Sequence, residues 1–337
     1  MRFSEIGEFG FIESIKKQCD IPVQGVIKGI GDDCAVLSSI PGRALLLTAD
    51  MLVQDIHFVI DRISFYQLGR KAVAVNLSDI AAMGGRPLIA LISLAIPLEI
   101  EVEEIQELYR GMRDICEHHG LTIGGGDTVA SPDKLVINVS MLGDAKESEV
   151  LYRSGAGPGD KIYLTGPVGD SIAGLKILKK EIAPPEEMAF FFIKAHHEPV
   201  PLVEAGRIIA ASGLASAMID VSDGLLSDLG HICEESCAGA LLFAEKIPLS
   251  SELTLLAGDA GFNALDLALS GGEDYQLLFT APAVHERGIE KLFKEHGLSA
   301  PFLIGEIDRT QGIRRVKADG SIEELEVKGF NHFAQSP

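Results

Sequence analysis

The chain has 337 residues, 47% of them hydrophobic and 23% charged, which is typical of a globular protein with one large or two ordinary domains. Its formal net charge is −20, from 29 basic and 49 acidic residues, so it has little positive charge to neutralise nucleic-acid phosphates. We therefore expect no nucleic-acid partner. A negative chain still suits phosphorylated small molecules, because metal cations bridge carboxylates to substrate phosphates.

Neither a membrane span nor a secretory signal is expected. The longest apolar run, 87–98, is too short to span a bilayer and has a proline near each end. The N-terminal residues carry scattered acids and no continuous apolar segment. Five cysteines, an odd number without a CxxC pair, indicate reduced thiols. These features predict a cytoplasmic protein that does not contact a membrane.

In chain order, apolar runs alternate with amphipathic segments, which predicts an α/β or α+β fold. The first half contains predicted strands at 43–50 and 133–144 and predicted helices at 64–85 and 101–120. Ser64 suits the N-cap of the first helix, and Gly120 closes the second.

A polar segment rich in glycine and serine, 145–160, predicts a junction between two domains. We therefore predict domains at 1–148 and 149–337. The predicted strands after the junction are 161–166, 240–244, 275–280 and 302–306, and the predicted helices lie near 169–180, 201–212 and 225–235.

Acidic residues recur at the edges of apolar or glycine-rich segments. They are Asp32 and Asp33 in "GIGDDCAVL", Asp50 at the end of a strand, Asp79 after "AVNLS", Asp127 after three glycines, Asp220 and Asp223 in "AMIDVSDGL", and Glu273 and Asp274 in "LSGGEDYQLLF". Hard cations such as Mg²⁺ take oxygen ligands, and acids from several segments indicate several ions instead of one closed cage. The neighbouring glycines let the backbone approach a phosphate closely.

Each acid also has a purely structural interpretation. An aspartate after glycine is most often a turn residue or a helix cap, and Ser222 and Asp223 are placed to cap the helix that follows. Capping and phosphate binding are compatible, because a helix N-terminus attracts anions. Recurrence in five or more places favours a functional role. For Asp32, a metal ligand and a turn or supporting residue both stay open.

The sequence lacks the common motifs of other phosphate and hydrolase sites. It has no P-loop, no Rossmann spacing, no HExxH and no GxSxG. The pairs His118–His119 and His196–His197 lie in helical contexts and are expected to face solvent or the core. If this chain binds ATP, its site is unconventional.

Segments along nearly the whole chain, from about residue 5 to "KGFNHF", resemble those of thiamine-monophosphate kinases. They are "GIGDDCAVL", "LLLTADMLVQDIHF", "GRKAVAVNLSDIAAMGGRP", "IGGGDT", "YRSGAGPGD", "IDVSDGL" and "SGGEDYQLLF". The GDD, NLSD, GGD and SDG elements are shared with a wider superfamily that includes aminoimidazole ribonucleotide synthetase, selenophosphate synthetase and a hydrogenase maturation protein. "QDIHF", "RSGAGPGD" and "SGGEDY" narrow the resemblance to the thiamine enzymes.

The resemblance implies a fold and a reaction. It implies two α/β domains, with the N-terminal sheet forming a homodimer and ATP in a cleft at the dimer interface. It implies ATP-dependent phosphorylation of thiamine monophosphate to thiamine diphosphate with several Mg²⁺ ions, the final step of thiamine diphosphate biosynthesis. Because the acceptor is a phosphate oxygen that is already ionised, we expect direct in-line transfer without a general base.

The resemblance also implies roles for individual residues. The implied metal ligands are Asp33, Thr48, Ala49 through its backbone carbonyl, Asp50, Asp79, Asp127, Asp220 and Asp223. The implied ATP contacts are Tyr109, Gly126, Arg153 and Ser222, and the implied substrate contacts are His57, Glu273 and Phe330. Two positions depart from the family pattern: Val327 replaces a frequent aromatic residue, and Phe330 replaces a common tyrosine.

Two alternatives to this function stay open. One is another ATP-dependent member of the superfamily, such as an aminoimidazole ribonucleotide synthetase, which activates an amide oxygen instead of a phosphate. The other is a nucleotide- or metal-binding protein without catalysis.

Overall fold

Two β-sheets organise the chain in the structure, a computed structural model that describes residues 25–28, 32–317 and 319–326. The described part of the first sheet has six strands in the order β1-β2-β3-β6-β4-β5. Their bounds are β1 Val26–Lys28, β2 Ala35–Ser38, β3 Arg43–Val53, β4 Arg86–Pro97, β5 Thr122–Ser131 and β6 Val136–Lys146. Neighbouring strands are antiparallel except for β4 and β5, which are parallel.

The helices of the first half pack on one face of this sheet, which we call the inner face. They are α1 Phe65–Ala82 and α2 Val102–His119, and α2 connects the parallel strands β4 and β5. Ser64 caps α1 in a capping box with Gln67, as its sequence predicts. The helix ends at Ala82, three residues earlier than predicted, because Gly84 has a φ of +72° and the Gly85 N–H donates to the carbonyl of Ile80.

The second sheet lies in the other half of the chain. Its described strands follow the order β13-β12-β9-β11-β7-β10-β8, with bounds β7 Asp160–Leu164, β8 Ala217–Asp220, β9 Gly239–Phe243, β10 Leu277–Pro282, β11 Phe302–Asp308, β12 Gly312–Val316 and β13 Ile322–Leu325. The accompanying helices are α3 Asp170–Leu178, α4 Glu186–His197, α5 Val203–Ser212, α6 Leu225–Glu235, α7 Ser251–Ala260, α8 Ala264–Ser270 and α9 Glu286–Glu295. The predicted α/β class is confirmed.

Helix α1 lies between the two sheets and is buried on almost every side. It packs against β3 and β6 of the first sheet and against β8 and α5 of the second half. One hydrophobic core therefore runs from Leu46 through Leu77 to Phe279. The domain boundary that we predict after residue 148 falls between β6 and β7, and it stays a prediction. Among the described residues, no helix is long and apolar enough to cross a membrane.

Candidate active site

One face of α1 supplies polar side chains to the space between the sheets. Val75, Ser78 and Asp79 lie four, seven and eight residues after Lys71, which places all four on the same side of a helix. Lys71 and Ser78 are fully buried. A buried polar group needs a partner, so these side chains must meet polar groups from other elements.

Carboxylates from three separate segments converge beside this face. Asp33 precedes β2, Asp79 belongs to α1, and Asp220 ends β8; each offers an oxygen within 4.8 Å of the other two. Ser78 Oγ donates to Asp220 Oδ2 at 2.5 Å, and the Thr48 hydroxyl donates to Asp79. The fold therefore brings together three carboxylates that are remote from one another along the chain.

Strand β3 adds further oxygen atoms to this carboxylate cluster. Its buried residues Ala44, Leu46 and Leu52 alternate with exposed ones, and Thr48 and Asp50 share the parity of the buried set. Ala49 lies between them and has only a methyl side chain, so its backbone carbonyl is the only oxygen that it can offer to a cation.

Like charges and burial oppose ionisation of the cluster. Burial and the nearby charge of Asp33 raise the pKa of Asp50 to about 6 and that of Asp220 to about 7. Burial and the charges of Asp50 and Asp220 raise the pKa of Asp79 well above its ordinary value. Within the described part of the chain, Asp33 Oδ2 and Asp50 Oδ2 are buried without a hydrogen-bond partner. Unpartnered oxygens among repelling carboxylates fit a hard divalent cation.

Asp32 has a different role from Asp33 in this arrangement. Arg153 donates from Nη2 to Asp33 Oδ1 at 2.7 Å, whereas its backbone N–H points to the Asp32 carboxylate at 3.3 Å. Lys28 Nζ lies 3.7 Å from Asp32 Oδ2. The side chain of Asp32 is fully buried. The Asp32 carboxylate thus accepts from the loop that carries Arg153, and its role as a metal ligand or a supporting residue stays a prediction.

A cavity of about 250 Å³ adjoins the cluster. Its lining includes Asp50, His57, Ser222, Asp223, Glu273 and Tyr275. His57 is fixed because its Nδ1 accepts the N–H of Val53 at 3.0 Å. Helix α6 begins at Leu225 with Gly224 as its N-cap residue, so neither Ser222 nor Asp223 occupies the predicted capping position. Instead, Asp228 accepts the N–H groups of Asp223 and Gly224 and holds this loop beside the cavity.

Two residues of the cavity region were missed by sequence reasoning. Lys71 Nζ and His196 Nδ1 lie 3.1 Å and 3.0 Å from the same oxygen, Oε2 of Glu273. A lysine inside the apolar run of α1 was a signal that could have indicated a buried ion pair. His196 was expected to face either solvent or the core, and it is buried. It also lines the cavity.

Several predicted site residues lie away from the cluster. Asp127 is exposed on the edge strand β5, and Gly126 lies in the same row of the sheet as Asp50, with β6 and β4 between them. At the usual strand spacing, this separates β5 from β3 by about 14 Å. Tyr109 is partly buried on α2 and packs on the core. Phe330 and Val327 lie outside the described residues. The roles of these residues stay predictions.

Close backbone packing explains why Gly126 is a glycine. A Cβ atom at this position would lie 1.6 Å from the carbonyl oxygen of Ile92, and its φ of +150° is rarely adopted by other residues. A glycine at position 126 is thus required by the parallel pairing of β5 with β4. This structural requirement is independent of any nucleotide contact.

Comparisons with known proteins agree with this architecture. Residues 31–145 match the family described as AIR synthase related protein, N-terminal domain, and residues 157–317 match its C-terminal domain. The thiamine-monophosphate kinases of Bacillus subtilis and Aquifex aeolicus are 38% and 36% identical to the chain; they cover 97% and 99% of it, and the matches span 99% and 100% of those proteins. The solved structure of AaThiL complexed with AMPPCP and TMP has a TM-score of 0.85 and 35% identity over 98% of this chain and 99% of its own. The chain therefore belongs to the AIR synthase related family, and within it to the thiamine-monophosphate kinases.

Proposed function

We propose that this chain transfers the γ-phosphoryl group of ATP to thiamine monophosphate and forms thiamine diphosphate and ADP. The observation that carries this proposal is the convergence of Asp33, Asp79 and Asp220 beside the cavity lined by His57 and Glu273. The curated relatives are kinases of the same substrate, and the related AaThiL was solved with AMPPCP and TMP.

The carboxylate cluster fits Mg²⁺ as the metal. We propose Asp33, Asp79 and Asp220 as its first ligands, with Thr48, Asp50, Asp223 and the Ala49 carbonyl completing the sites. When bound there, Mg²⁺ would shield the negative charges of the two phosphate groups that must approach each other. Arg153, which contacts Asp33, adds a fixed positive charge at the same place.

Transfer from ATP is proposed to be direct and in line. The acceptor oxygen of thiamine monophosphate is ionised at neutral pH, so the chain needs to position and neutralise charges but not to remove a proton. No side chain is therefore assigned as a general base. Trapping a covalent phosphoprotein during turnover, or retention of configuration at a chiral phosphate, would contradict direct transfer.

A second copy of the chain is proposed to complete the ATP site. Leu47, Met51, Leu91 and Val129 are large hydrophobic residues that are 42–53% exposed, and the sheet register places them on the face opposite α1. Asp127 lies in the same row as Met51 and shares this face. A sheet-to-sheet homodimer would cover this apolar face and place Asp127 at the interface between the two copies. Since ATP is the donor, we place the chain in the cytoplasm.

Product analysis separates this function from the superfamily alternative. ADP release is measured with Mg·ATP and either thiamine monophosphate or formylglycinamidine ribotide, the substrate of aminoimidazole ribonucleotide synthetase. We expect stoichiometric ADP and thiamine diphosphate with the first and no reaction with the second. Turnover of the second alone would assign the chain to the other chemistry, and turnover of neither would favour a binding protein without catalysis.

A further inference from the structure

Lys71 is a buried cation that the proposed transfer chemistry does not use. Its side chain is 0% exposed, and it lies two turns before Asp79 on α1. A buried ammonium group is retained only when it is paired, because desolvation strongly disfavours an isolated charge. Its partner is Glu273, whose Oε2 accepts from Lys71 Nζ at 3.1 Å across 202 positions of sequence. The ion pair thus joins α1 to the loop before β10.

His196 holds the same carboxylate oxygen from α4. Its Nδ1 lies 3.0 Å from Glu273 Oε2 and 3.0 Å from Ser171 Oγ. Burial, together with the charge of Lys71, lowers the pKa of His196, so the imidazole is neutral at neutral pH. A carboxylate only accepts hydrogen bonds, so the tautomer with the proton on Nδ1 is the one that lets His196 donate to Oε2. Lys71 donates to Oε2 and His196 lies beside the same oxygen, so Oε1 is the oxygen left for another group.

The Glu273 backbone is held in an unfavourable conformation. Its φ of 64° lies in the left-handed region, which a residue with a side chain adopts only when its surroundings enforce it. The Glu273 N–H donates to the carbonyl of Ser222 at 2.7 Å, and Asp274 accepts the N–H groups of Gly169 and Ser171. Glu273 lines the cavity and keeps 25% of its side chain exposed. The fold therefore aims one ionised carboxylate into the cavity.

We propose that Lys71 is a positioning residue that fixes Glu273 so that its second oxygen meets the positively charged thiazolium part of thiamine monophosphate. This inference rests on the proposed function and extends it to the source of substrate affinity. Without Lys71, Glu273 would be a partly buried carboxylate without a cation beside it, and it would leave its position or take up a proton. Either change removes the negative charge that the substrate cation meets.

The test replaces Lys71 and follows substrate binding separately from transfer. In Lys71→Met, we expect the Kd for thiamine monophosphate, measured by calorimetry without ATP, and its KM to rise about 10- to 100-fold. The KM for ATP should change less than about two-fold, since Lys71 does not contact the carboxylate cluster. Adding Lys71→Met to Glu273→Gln should cause no further loss, because both substitutions act through one carboxylate. The control variant is Lys161→Met, which breaks an ion pair on the second sheet between Lys161 and Glu306, 2.9 Å apart. It should leave the Kd and KM for thiamine monophosphate and the KM for ATP unchanged.

Two outcomes overturn the proposal. A folded Lys71→Met protein with unchanged affinity for thiamine monophosphate would show that the ion pair only supports the fold. If Lys71→Met does not fold, Lys71→Gln is tested in its place, because it keeps a hydrogen-bond donor but not the charge. Unchanged affinity of that variant for thiamine monophosphate overturns the proposal, and weakened affinity supports it. A wild-type protein that fails to bind thiamine monophosphate would overturn the proposed function itself, which distinguishes the two failures.

Discussion

At the residue scale, Asp79 is expected to be needed for turnover and to lower the stability of the metal-free protein. It is buried beside Asp50 and Asp220, whose charges raise its pKa well above the ordinary value. In Asp79→Asn, we expect turnover to fall at least about 100-fold because the cation loses a charged ligand. The free energy of unfolding without Mg²⁺ should not decrease, since one repelling charge is removed.

Urea unfolding in EDTA and a turnover assay with Mg·ATP check both parts of this prediction. Asp133→Asn is the control, because its side chain is 75% exposed and remote from α1 in the sequence. Near-normal turnover in Asp79→Asn would contradict the metal-cluster interpretation.

The raised pKa values also predict a pH dependence. Folding raises the pKa of Asp50 to about 6 and that of Asp220 to about 7, from an ordinary value of 3.8. Between pH 3.8 and these raised values, Asp50 and Asp220 bind more protons in the folded state than in the unfolded chain. Their contribution to the free energy of unfolding therefore falls as pH rises. For the metal-free protein we expect a loss of about 2 kcal/mol or more between pH 5 and pH 8, measured by urea unfolding.

Mg²⁺ should act in the opposite direction, because metal ligands must be deprotonated. Its stabilising effect is therefore expected to be larger at pH 8 than at pH 5. If the metal-free protein becomes more stable as pH rises through this window, the carboxylates are not held together as described.

At the scale of elements, the placement of α1 depends on its contact with α2. A Cβ atom at Gly69 would lie 2.0 Å from the Leu108 carbonyl oxygen, and one at Gly111 would lie 1.9 Å from that of Tyr66. Gly111→Ala should therefore lower the free energy of unfolding by about 1–3 kcal/mol and shift α1, which carries Asp79. Turnover should fall with it.

Gly258→Ala is the matched control on helix α7. Apart from its chain neighbours and the nearby backbone of α7 itself, no atom lies within 4 Å of a Cβ atom built there, so alanine should stabilise the helix by about 0.5–1 kcal/mol. Urea unfolding of the two variants should show opposite signs. Equal stability in both would mean that α1 and α2 are not in close backbone contact.

Sequence patterns predict these elements better than they predict the contacts between elements. The Ser64 cap and the periodicity of α2 are local signals, and both agree with the structure. Most of the apolar run 87–98 forms β4, which its sequence alone does not predict, because a short apolar run does not distinguish a buried strand from a buried helix.

The carboxylate cluster was accessible from sequence because its acids lie next to glycines and strand ends. The pairing of Lys71 and His196 with Glu273 was not, since it depends on how α1 and α4 pack against a loop far away in sequence. Local patterns contain no information about such a contact.

At the scale of the whole molecule, the apolar outer face of the first sheet predicts a dimer. Met51 is 53% exposed and lies in the row of Asp127. Met51→Glu should place like charges opposite each other across a two-fold interface, giving a monomer with turnover reduced at least about 10-fold. Val284→Glu, at a site 84% exposed on the second half of the chain, should change neither mass nor turnover. Sedimentation at several concentrations measures the mass; a wild-type monomer with full activity would contradict the shared ATP site.

The central claim is that the cluster and the cavity transfer a phosphoryl group from ATP to a phosphate that the substrate already carries. The most direct measurement is the rate of thiamine diphosphate formation from Mg·ATP and thiamine monophosphate, with free thiamine as the control acceptor. We predict one thiamine diphosphate per ADP with thiamine monophosphate, no phosphorylation of free thiamine, and no turnover in excess EDTA. Phosphorylation of free thiamine at a similar rate, or full turnover in EDTA, would contradict this account.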